Sequence, residues 1–189
     1  MKSVAVYCGA APGNDPAYQN ATKKLAKWLV NHDLTLVYGG GGVGLMGLLA
    51  STVLELGGVV HGIMPKELVD RGASMDGLTS LEVVPNMDIR KQKMLAQSDG
   101  CIALPGGPGT LEEISEAFSW ARIGDNDDPC VIYNVQGYYD TLKKMFDEMT
   151  EKEFLTVEDR KKLLFSDSLP EIYKFMTTYT APKIRTYTK

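Results

Sequence analysis

Short β-rich runs recur along this chain, and each is followed by glycines or a turn and then by a segment with helical periodicity. This alternation is typical of a parallel sheet covered by helices. Six strands are predicted, at residues 4–7, 34–38, 59–63, 81–84, 101–104 and 130–133. Several of these runs are almost continuously apolar, as expected for strands that are buried on both faces. The sequence therefore predicts an α/β fold: a single-domain, Rossmann-like, doubly wound parallel sheet with helices on both faces.

Helical periodicity fills the segments between the predicted strands. The first helix is expected to begin at Asp15-Pro16, with Asp15 as the N-cap and Pro16 at the first helical position, where proline is tolerated. Further helices are predicted at residues 45–56, 87–98, 110–122, 138–150, 157–164 and 169–178. Residues 1–179 are predicted to form one domain. Residues 180–189 lack periodicity and are expected to be a flexible tail.

The charge balance and the cysteines narrow the classes of function. The 189 residues include 20 Lys plus Arg and 24 Asp plus Glu, so no basic field is available to hold nucleic acid or an anionic membrane. The first apolar run is too short for a signal peptide or a membrane span, and a cytoplasmic location is expected. Cys8, Cys101 and Cys130 form no CxxC pair and lie near no clustered His, which predicts buried free thiols rather than disulfides or a zinc site.

Two glycine-rich loops stand out, each between a predicted strand and a predicted helix. The first, residues 38–47, reads YGGGGVGLMG, and the second, residues 105–110, reads PGGPGT. Glycines allow backbone N–H groups to turn toward a ligand, and the positive end of the following helix favours an anion. Both loops are therefore predicted to hold the phosphate of a nucleotide. The alternative is that the glycines only permit tight turns.

Common nucleotide and nucleophile motifs fit poorly. Gly39, Gly41 and Gly44 have the GxGxxG spacing, but the loop follows the second strand, and the acidic residue expected about 20 positions later is missing. Neither loop ends in the Lys-Ser/Thr of a Walker P-loop, and no Gly-x-Ser-x-Gly elbow occurs. One carboxylate remains, because Glu113 lies one turn inside the helix after the second loop. On its own, Glu113 is better explained by capping and electrostatic support of the helix N-terminus.

The second loop also begins a more specific pattern. Residues 105–113, PGGPGTLEE, match PGGxGTxxE, and residues 87–91, MDIRK, precede them. Together with residues 38–47, these segments resemble the LONELY GUY (LOG) family, cytokinin riboside 5′-monophosphate phosphoribohydrolases that were long mislabelled as lysine decarboxylases. The likeness extends over nearly the whole chain, including residues 119–121 and 134–139.

The resemblance implies a hydrolase that cleaves the N-glycosidic bond of N6-modified adenosine 5′-monophosphates to free base and ribose 5-phosphate. Arg90 and Glu113 are the implied catalytic pair, and no metal or cofactor is implied. A carboxylate suits this chemistry because it can stabilise a cationic ribose and activate water, and an arginine can hold ribose hydroxyls or phosphate. The expected substrate-binding residues are Gly41, Gly42, Met87, Lys91, Gly106, Gly107, Gly109 and Thr110. The family often has His where this chain has Asp88.

Two other functions stay open at this point. A non-catalytic nucleotide-binding protein could use the same loops, although it would not need a carboxylate beside an anionic ligand. A lysine decarboxylase dependent on pyridoxal phosphate needs a Schiff-base lysine, and no lysine in the sequence is marked out for that role.

The predicted partners are a nucleoside 5′-monophosphate and a second copy of the chain. The predicted helices at residues 87–98 and 110–122 carry more apolar residues than one sheet-facing stripe needs, namely Met87, Met94, Leu95, Ile114, Ala117, Phe118 and Trp120. Together with the resemblance, this surplus predicts a two-fold homodimer that buries them. The alternative is that the aromatic residues cap the core under residues 124–129. The charged residues at 125–128 are predicted to form a solvated loop.

Overall fold

Seven parallel strands form one sheet in the computed structural model, which describes residues 1–184. The strands are β1 (Ser3–Tyr7), β2 (Thr35–Tyr38), β3 (Val60–Pro65), β4 (Ser80–Val84), β5 (Cys101–Ala103), β6 (Cys130–Tyr133) and β7 (Leu163–Ser166). Their order across the sheet is β4-β3-β2-β1-β5-β6-β7, and all neighbours are parallel. The first six are the predicted strands.

Helices cover both faces of this sheet, which confirms the predicted doubly wound α/β fold. They are α1 (Pro16–Asn31), α2 (Gly44–Glu55), α3 (Lys66–Asp70), α4 (Met87–Ala96), α5 (Pro108–Ala121), α6 (Asp140–Glu151), α7 (Val157–Arg160) and α8 (Leu169–Thr177). The core on one face contains α1, α2 and α8, and the core on the other contains α4, α5 and α6. None of the helices described in residues 1–184 combines the length and the apolar character that a bilayer crossing requires.

The first helix begins as predicted. The Asp15 side chain accepts a hydrogen bond from Ala17 N (2.8 Å), and Pro16 occupies the first turn. Leu25 and Leu29 are fully buried against the sheet, so the apolar stripe of α1 faces the core. The cap and the stripe together explain why the helix starts where it does and which face it buries.

The strand order changes direction between β1 and β5. From β1 the chain adds β2, β3 and β4 on one side, and it then returns to add β5, β6 and β7 on the other. The connections after β1 and β5 therefore leave toward opposite sides of the sheet and open a crevice at the carboxyl ends of these strands. Ligands of open α/β sheets bind at this kind of crevice.

The largest departure from the prediction lies at residues 157–164, where one helix was expected. The short helix α7 and the strand β7 replace it, and Leu164 and Phe165 pair with Val131 and Ile132 of β6. Helical periodicity is weak evidence in such a short segment, and the ladder to β6 outweighs it. The short helix α3 was not predicted, and α6 begins two residues later than expected.

The apolar residues that predicted a subunit interface lie mostly in the core of the chain itself. Five of them are buried on the α4–α6 face of the sheet, namely Met94, Leu95, Ile114, Ala117 and Phe118. The Phe118 ring packs edge-to-face on Phe146, with ring centres 5.7 Å apart. The prediction that these five residues form the interface is therefore wrong, and they fill the core instead. Met87 and Trp120 are only half-buried.

The charged residues at 125–128 do not form a wholly solvated loop as predicted. Asn126 is buried, and its side chain donates to a backbone carbonyl of α5 (3.0 Å) and accepts from Asp128 N (3.1 Å). Asp128 is half-buried. Its burial, together with the negative charges of Asp99 and Asp127, raises the pKa of the Asp128 carboxyl to about 6.

An Asp128→Asn variant is expected to be more stable than the wild type at neutral pH. Because the folded state raises the pKa of this carboxyl, its contribution to wild-type stability is fully present below the unfolded value of 3.8 and is lost as the pH rises through about 6. Above pH 6 the variant should gain about 1 kcal/mol, a figure that allows for partial exposure of the group. Melting temperatures at pH 7 and pH 4 measure this, with Asp127→Asn as the control. A gain that is equal at both pH values would contradict the explanation.

The end of the described chain packs on the domain. Residues 180–184 have no helix or strand, but Pro182 is buried and Lys162 Nζ donates to Thr180 Oγ1 (2.9 Å). The other residues of the predicted tail, 185–189, lie outside the described residues.

Candidate active site

A cavity of about 420 Å³ opens at the carboxyl ends of β1, β2, β3 and β5, in the crevice where the strand order changes direction. Its lining is mainly apolar and includes four polar side chains, Arg90, Thr110, Glu112 and Glu113. A largely apolar cavity with a few convergent polar groups is typical of a small-molecule site. Helices α4 and α5 carry all four of these polar residues.

Arg90 and Glu113 form a buried ion pair between α4 and α5. Arg90 Nη2 lies 3.0 Å from Glu113 Oε1, and the two side chains are only 10% and 9% exposed. Asn86 caps α4 by accepting a hydrogen bond from Ile89 N (3.0 Å), so Arg90 lies one turn inside this helix. The two residues that the resemblance implies as the catalytic pair are thus brought together at the cavity.

Three contacts orient the Arg90 guanidinium. Its Nε donates to Ile63 O (3.2 Å), and its Nη1 contacts Met87 Sδ (3.6 Å). It also packs directly on Gly39, where a Cβ would overlap Nη2. A larger residue at position 39 would therefore displace the guanidinium. This glycine of the first loop is thus explained by the close approach of Arg90 to the backbone rather than by ligand binding.

Burial dominates the electrostatics of Glu113. It raises the pKa of this carboxyl above its usual range, and the positive charges of Arg90 and Lys91 only partly oppose the rise. The negative charges of Glu112 and Glu116 raise the pKa further. Within residues 1–184, Glu113 Oε1 accepts no hydrogen bond, because its contact with Arg90 has the distance but not the geometry of one. The same oxygen is shielded from solvent, so the positive charge of Arg90 compensates its negative charge without a hydrogen bond.

The N-terminus of α5 presents free backbone N–H groups to the same cavity. Gly107 is the N-cap residue, Pro108 follows it, and no side chain from residues 1–184 caps this end. The first helical bond runs from Leu111 N to Gly107 O (3.2 Å), so the N–H groups of Gly107, Gly109 and Thr110 precede it. All three residues line the cavity. Three such groups at the positive end of a helix favour an anion such as a phosphate.

The first glycine loop is built differently from the second. The N–H groups of Leu45 and Met46, at the start of α2, donate to Gly9 O (3.0 and 3.4 Å), and Gly42 N donates to Ala73 O (3.1 Å). These N–H groups are therefore satisfied within the protein. The expectation that both loops turn their N–H groups toward a phosphate is wrong for these three residues of the first loop.

The structure brings most of the predicted site residues together. Those that line the cavity are Arg90, Glu113, Gly41, Met87, Gly107, Gly109 and Thr110. Those that do not line it are Gly42, Lys91 and Gly106.

Lys91 and Gly106 contribute to the surroundings of the cavity. The buried Lys91 ammonium binds Glu112 (2.9 Å) and Glu116 (2.8 Å), and so links α4 to α5. Gly106 leaves room for Thr110, whose side chain would overlap a Cβ at that position. Asp88, where the family often has His, is exposed and does not line the cavity.

The sequence analysis missed the apolar wall of the cavity and the connection after β1. The missed residues are Cys8, Gly9, Ala10, Val43, Met46, Met64, Leu68 and Ala73. The connection after β1 could have been predicted to line the cavity, because the carboxyl ends of neighbouring parallel strands meet at one edge of the sheet. Burial raises the pKa of the Cys8 thiol, which therefore stays protonated at neutral pH.

The side chains around the cavity offer little to a metal or to a lysine-bound cofactor. Among residues 1–184, no group of three or more His, Cys, Asp or Glu side chains is placed to hold a metal ion. No lysine lines the cavity in the same described range. A Schiff-base cofactor would have no lysine to bind at this site.

Sequence comparisons identify relatives of this chain. A family model described as "Possible lysine decarboxylase" matches residues 46–176. A cytokinin riboside 5′-monophosphate phosphoribohydrolase from Arabidopsis thaliana is 38% identical over 95% of this chain and 84% of its own length. A second such enzyme from the same plant is 37% identical over 100% of this chain and 88% of its own length.

Solved structures share the fold at lower sequence identity. The structural genomics target TM1055 superposes with a TM-score of 0.69 and 19% identity, over 95% of this chain and 100% of that one. The Moco carrier protein from Chlamydomonas reinhardtii gives 0.68 and 16%, over 95% of this chain and 99% of that one. These two likenesses show the fold alone. The family match and the identity to the plant enzymes confirm the resemblance: the chain belongs to the LOG family of cytokinin riboside 5′-monophosphate phosphoribohydrolases.

Proposed function

We propose that this protein hydrolyses the N-glycosidic bond of adenosine-type 5′-monophosphates, including N6-modified ones, to release the free base and ribose 5-phosphate. The observation that carries the proposal is the buried Arg90–Glu113 pair, which faces a cavity shared with the free N-terminus of α5. The names of the plant relatives describe this reaction on cytokinin riboside 5′-monophosphates.

The chemistry requires a carboxylate beside the ribose. The bond between C1′ and the base nitrogen breaks, its electron pair leaves with the base, and positive charge develops at C1′. The Glu113 carboxylate stabilises this charge and accepts a proton from the water that attacks C1′. The departing base nitrogen takes up a proton from solvent and Glu113 returns its own proton to solvent, so the net reaction consumes one water.

The other groups at the site hold the substrate in place for this step. The N–H groups of Gly107, Gly109 and Thr110 bind the 5′-phosphate at the positive end of α5. Arg90 offers its guanidinium to the ribose hydroxyls or the phosphate, and its positive charge opposes the rise that burial causes in the pKa of Glu113.

The apolar wall suits a base that carries a hydrocarbon substituent. Met46, Met64, Leu68 and Met87 line the part of the cavity that comes from α2, β3, α3 and α4. Methionine side chains are flexible and polarizable, and they adapt to apolar groups of irregular shape. This lining supports an N6-modified adenine as the base.

Incubation of the purified protein with AMP and with N6-isopentenyl-AMP, followed by chromatography of the products, tests the proposal. We expect free base and ribose 5-phosphate in equal amounts, and faster release from the isopentenylated nucleotide. Tight binding of both nucleotides without release of base would overturn the proposal in favour of a non-catalytic nucleotide-binding protein.

We also propose that the protein is a homodimer. The apolar residues of α5 that stay accessible are Leu111, which is exposed, and Trp120, which is half-buried. Val43, beside the cavity, is also exposed. A two-fold contact through α4 and α5 would cover such residues without using the buried core.

Light scattering at micromolar concentration measures the assembly. We expect twice the 20.7 kDa mass of one chain for the wild type, and the mass of a single chain for Leu111→Glu. Lys174→Glu, a charge change on α8, is the control and should leave the mass unchanged. A wild type with the mass of one chain and full activity would rule out the dimer.

We further propose that the protein works in the cytoplasm. Cys8, Cys101 and Cys130 are free and buried, and a reducing compartment keeps such thiols unoxidised. The net charge of −4 is consistent with a small-molecule substrate rather than nucleic acid or a membrane surface as partner.

A further inference from the structure

Two consecutive tyrosines reach from the connection after β6 to the loop that begins α5. Tyr138 Oη donates to Gly106 O (2.7 Å), and Tyr139 Oη donates to Leu104 O (2.8 Å). Tyr139 is buried, whereas Tyr138 is 45% exposed. The Tyr138 hydrogen bond thus joins segments 32 residues apart at a position that contributes little to the core.

The segment that carries these tyrosines is held firmly. Asn134 Oδ1 accepts a hydrogen bond from Tyr139 N (2.7 Å), and Asn134 Nδ2 donates to Asp140 Oδ1 (2.7 Å). Gln136 and Gly137, which lie between Asn134 and the tyrosines, both have positive φ (54° and 69°). A non-glycine residue in this conformation persists only where its surroundings hold it, so the position of the tyrosines is well determined.

The ring of Tyr138 also contacts two neighbouring aromatic rings. It packs edge-to-face on Tyr18 of α1 and on Tyr139, with ring centres 5.7 and 4.7 Å apart. The hydroxyl therefore approaches the loop from a rigid support rather than from a freely rotating side chain.

Peptide planarity connects this hydroxyl to the phosphate end of the cavity. The Gly106 carbonyl and the Gly107 N–H belong to the same peptide unit and point in opposite directions, because the unit is planar and trans. A hydroxyl that holds the carbonyl on one side fixes the N–H on the other side, away from Tyr138. Gly107 lines the cavity, and within residues 1–184 its N–H donates to no acceptor.

We propose that Tyr138 is a positioning residue, which fixes the direction of the Gly107 N–H so that this group can bind the 5′-phosphate of the substrate. The inference rests on the proposed function for the identity of the anion. Glycines on both sides of this peptide would otherwise let it rotate, because neither has a side chain that restricts its backbone. Tyr138 thus supplies the rigidity that the glycine loop lacks.

A Tyr138→Phe variant tests this role, since it removes the hydroxyl and keeps the ring. We expect the dissociation constant for ribose 5-phosphate, measured by calorimetry, to rise about three- to tenfold, the effect typical of losing one neutral hydrogen bond such as that between the Tyr138 hydroxyl and Gly106 O. The KM for the nucleoside monophosphate should rise by a similar factor with kcat nearly unchanged, because the phosphate contact is the same in the ground state and the transition state. Binding of adenosine, which lacks phosphate, should not change.

Tyr18→Phe is the matched control. It removes a hydroxyl from the neighbouring ring, and in the described part of the chain that hydroxyl makes no hydrogen bond to the loop. An unchanged dissociation constant for ribose 5-phosphate in Tyr138→Phe would overturn the positioning role, and so would an equal loss of adenosine binding. If the wild type binds ribose 5-phosphate but releases no base, the proposed function is refuted. The effect of Tyr138→Phe on binding of ribose 5-phosphate can still be measured in that case. A wild type that does not bind ribose 5-phosphate overturns the positioning role.

Discussion

The turnover of a Glu113→Gln variant is expected to be at least about a hundredfold lower than that of the wild type. Glutamine keeps the shape of the side chain but carries no charge, so it cannot stabilise a cationic ribose or accept a proton from the attacking water. The measurement is kcat for release of base from N6-isopentenyl-AMP. The substitution removes the negative charge that pairs with the buried Arg90, so the variant is expected to be less stable than the wild type. Turnover is therefore measured well below the melting temperature of the variant.

Glu116→Gln provides the control for this experiment. Glu116 lies on the same helix, pairs with Lys91, and does not line the cavity. The same chemical change there should alter turnover by less than about threefold, as is usual for the loss of a partly exposed ion pair. Turnover of Glu113→Gln within that same range would refute the role of Glu113 as the catalytic carboxylate.

The pH dependence of the wild type should report the same carboxylate. Burial raises the pKa of Glu113, and the reaction needs the ionised form. Therefore kcat/KM should fall as the pH decreases through a value above the ordinary 4.5 of a glutamate. The residual activity of Glu113→Gln should lack this acid limb. An acid limb that the variant retains unchanged would assign the titration to another group.

The sheet was predictable because its signals are local. Each of the first six strands is an apolar run with a glycine or a turn after it. Few folds other than a parallel sheet covered by helices are compatible with this alternation of strands and helices. The strand β7 was missed because Leu163–Ser166 is defined by its pairing with β6 rather than by its own pattern. Four residues carry too little periodicity to separate strand from helix.

The proximity of Arg90 and Glu113 agrees with the motifs that singled them out, but the contacts of neighbouring residues could not be predicted. Consecutive residues of a helix point about 100° apart, so the residue after Arg90 faces other surroundings. Lys91 accordingly faces α5 and binds Glu112 and Glu116. For this reason Lys91, which was predicted as a substrate ligand, does not line the cavity.

The glycines of the first loop show a second limit of sequence reasoning. A glycine that presents an N–H group and a glycine that admits a neighbour look the same in a sequence. Gly39 admits the Arg90 guanidinium, and Gly44 has positive φ and packs on Ala10. These contacts join residues from different strands and helices, and only the tertiary structure reveals them.

An Arg90→Ala variant is expected to bind AMP more weakly than the wild type. Its turnover is expected to be at least about a hundredfold lower. The guanidinium that would contact the substrate is gone, and Glu113 is left as a buried carboxylate without its positive partner. The pKa of Glu113 would then rise further, because Arg90 is the main group that lowers it, and less of the ionised form would exist at neutral pH. Calorimetry with AMP and the base-release assay measure the two losses separately.

Arg90→Lys should recover only part of each loss, and the reason lies in geometry. The arginine donates to Ile63 O through Nε while Nη2 faces Glu113, and a single ammonium cannot reproduce this fork. Lysine restores the positive charge beside Glu113, so the acid limb of the pH profile should return toward its wild-type position while affinity for AMP stays low. Full recovery of affinity and turnover by lysine would show that charge alone matters. Unchanged affinity and rate in Arg90→Ala would show that the arginine serves only to hold α4 against β3 and α5.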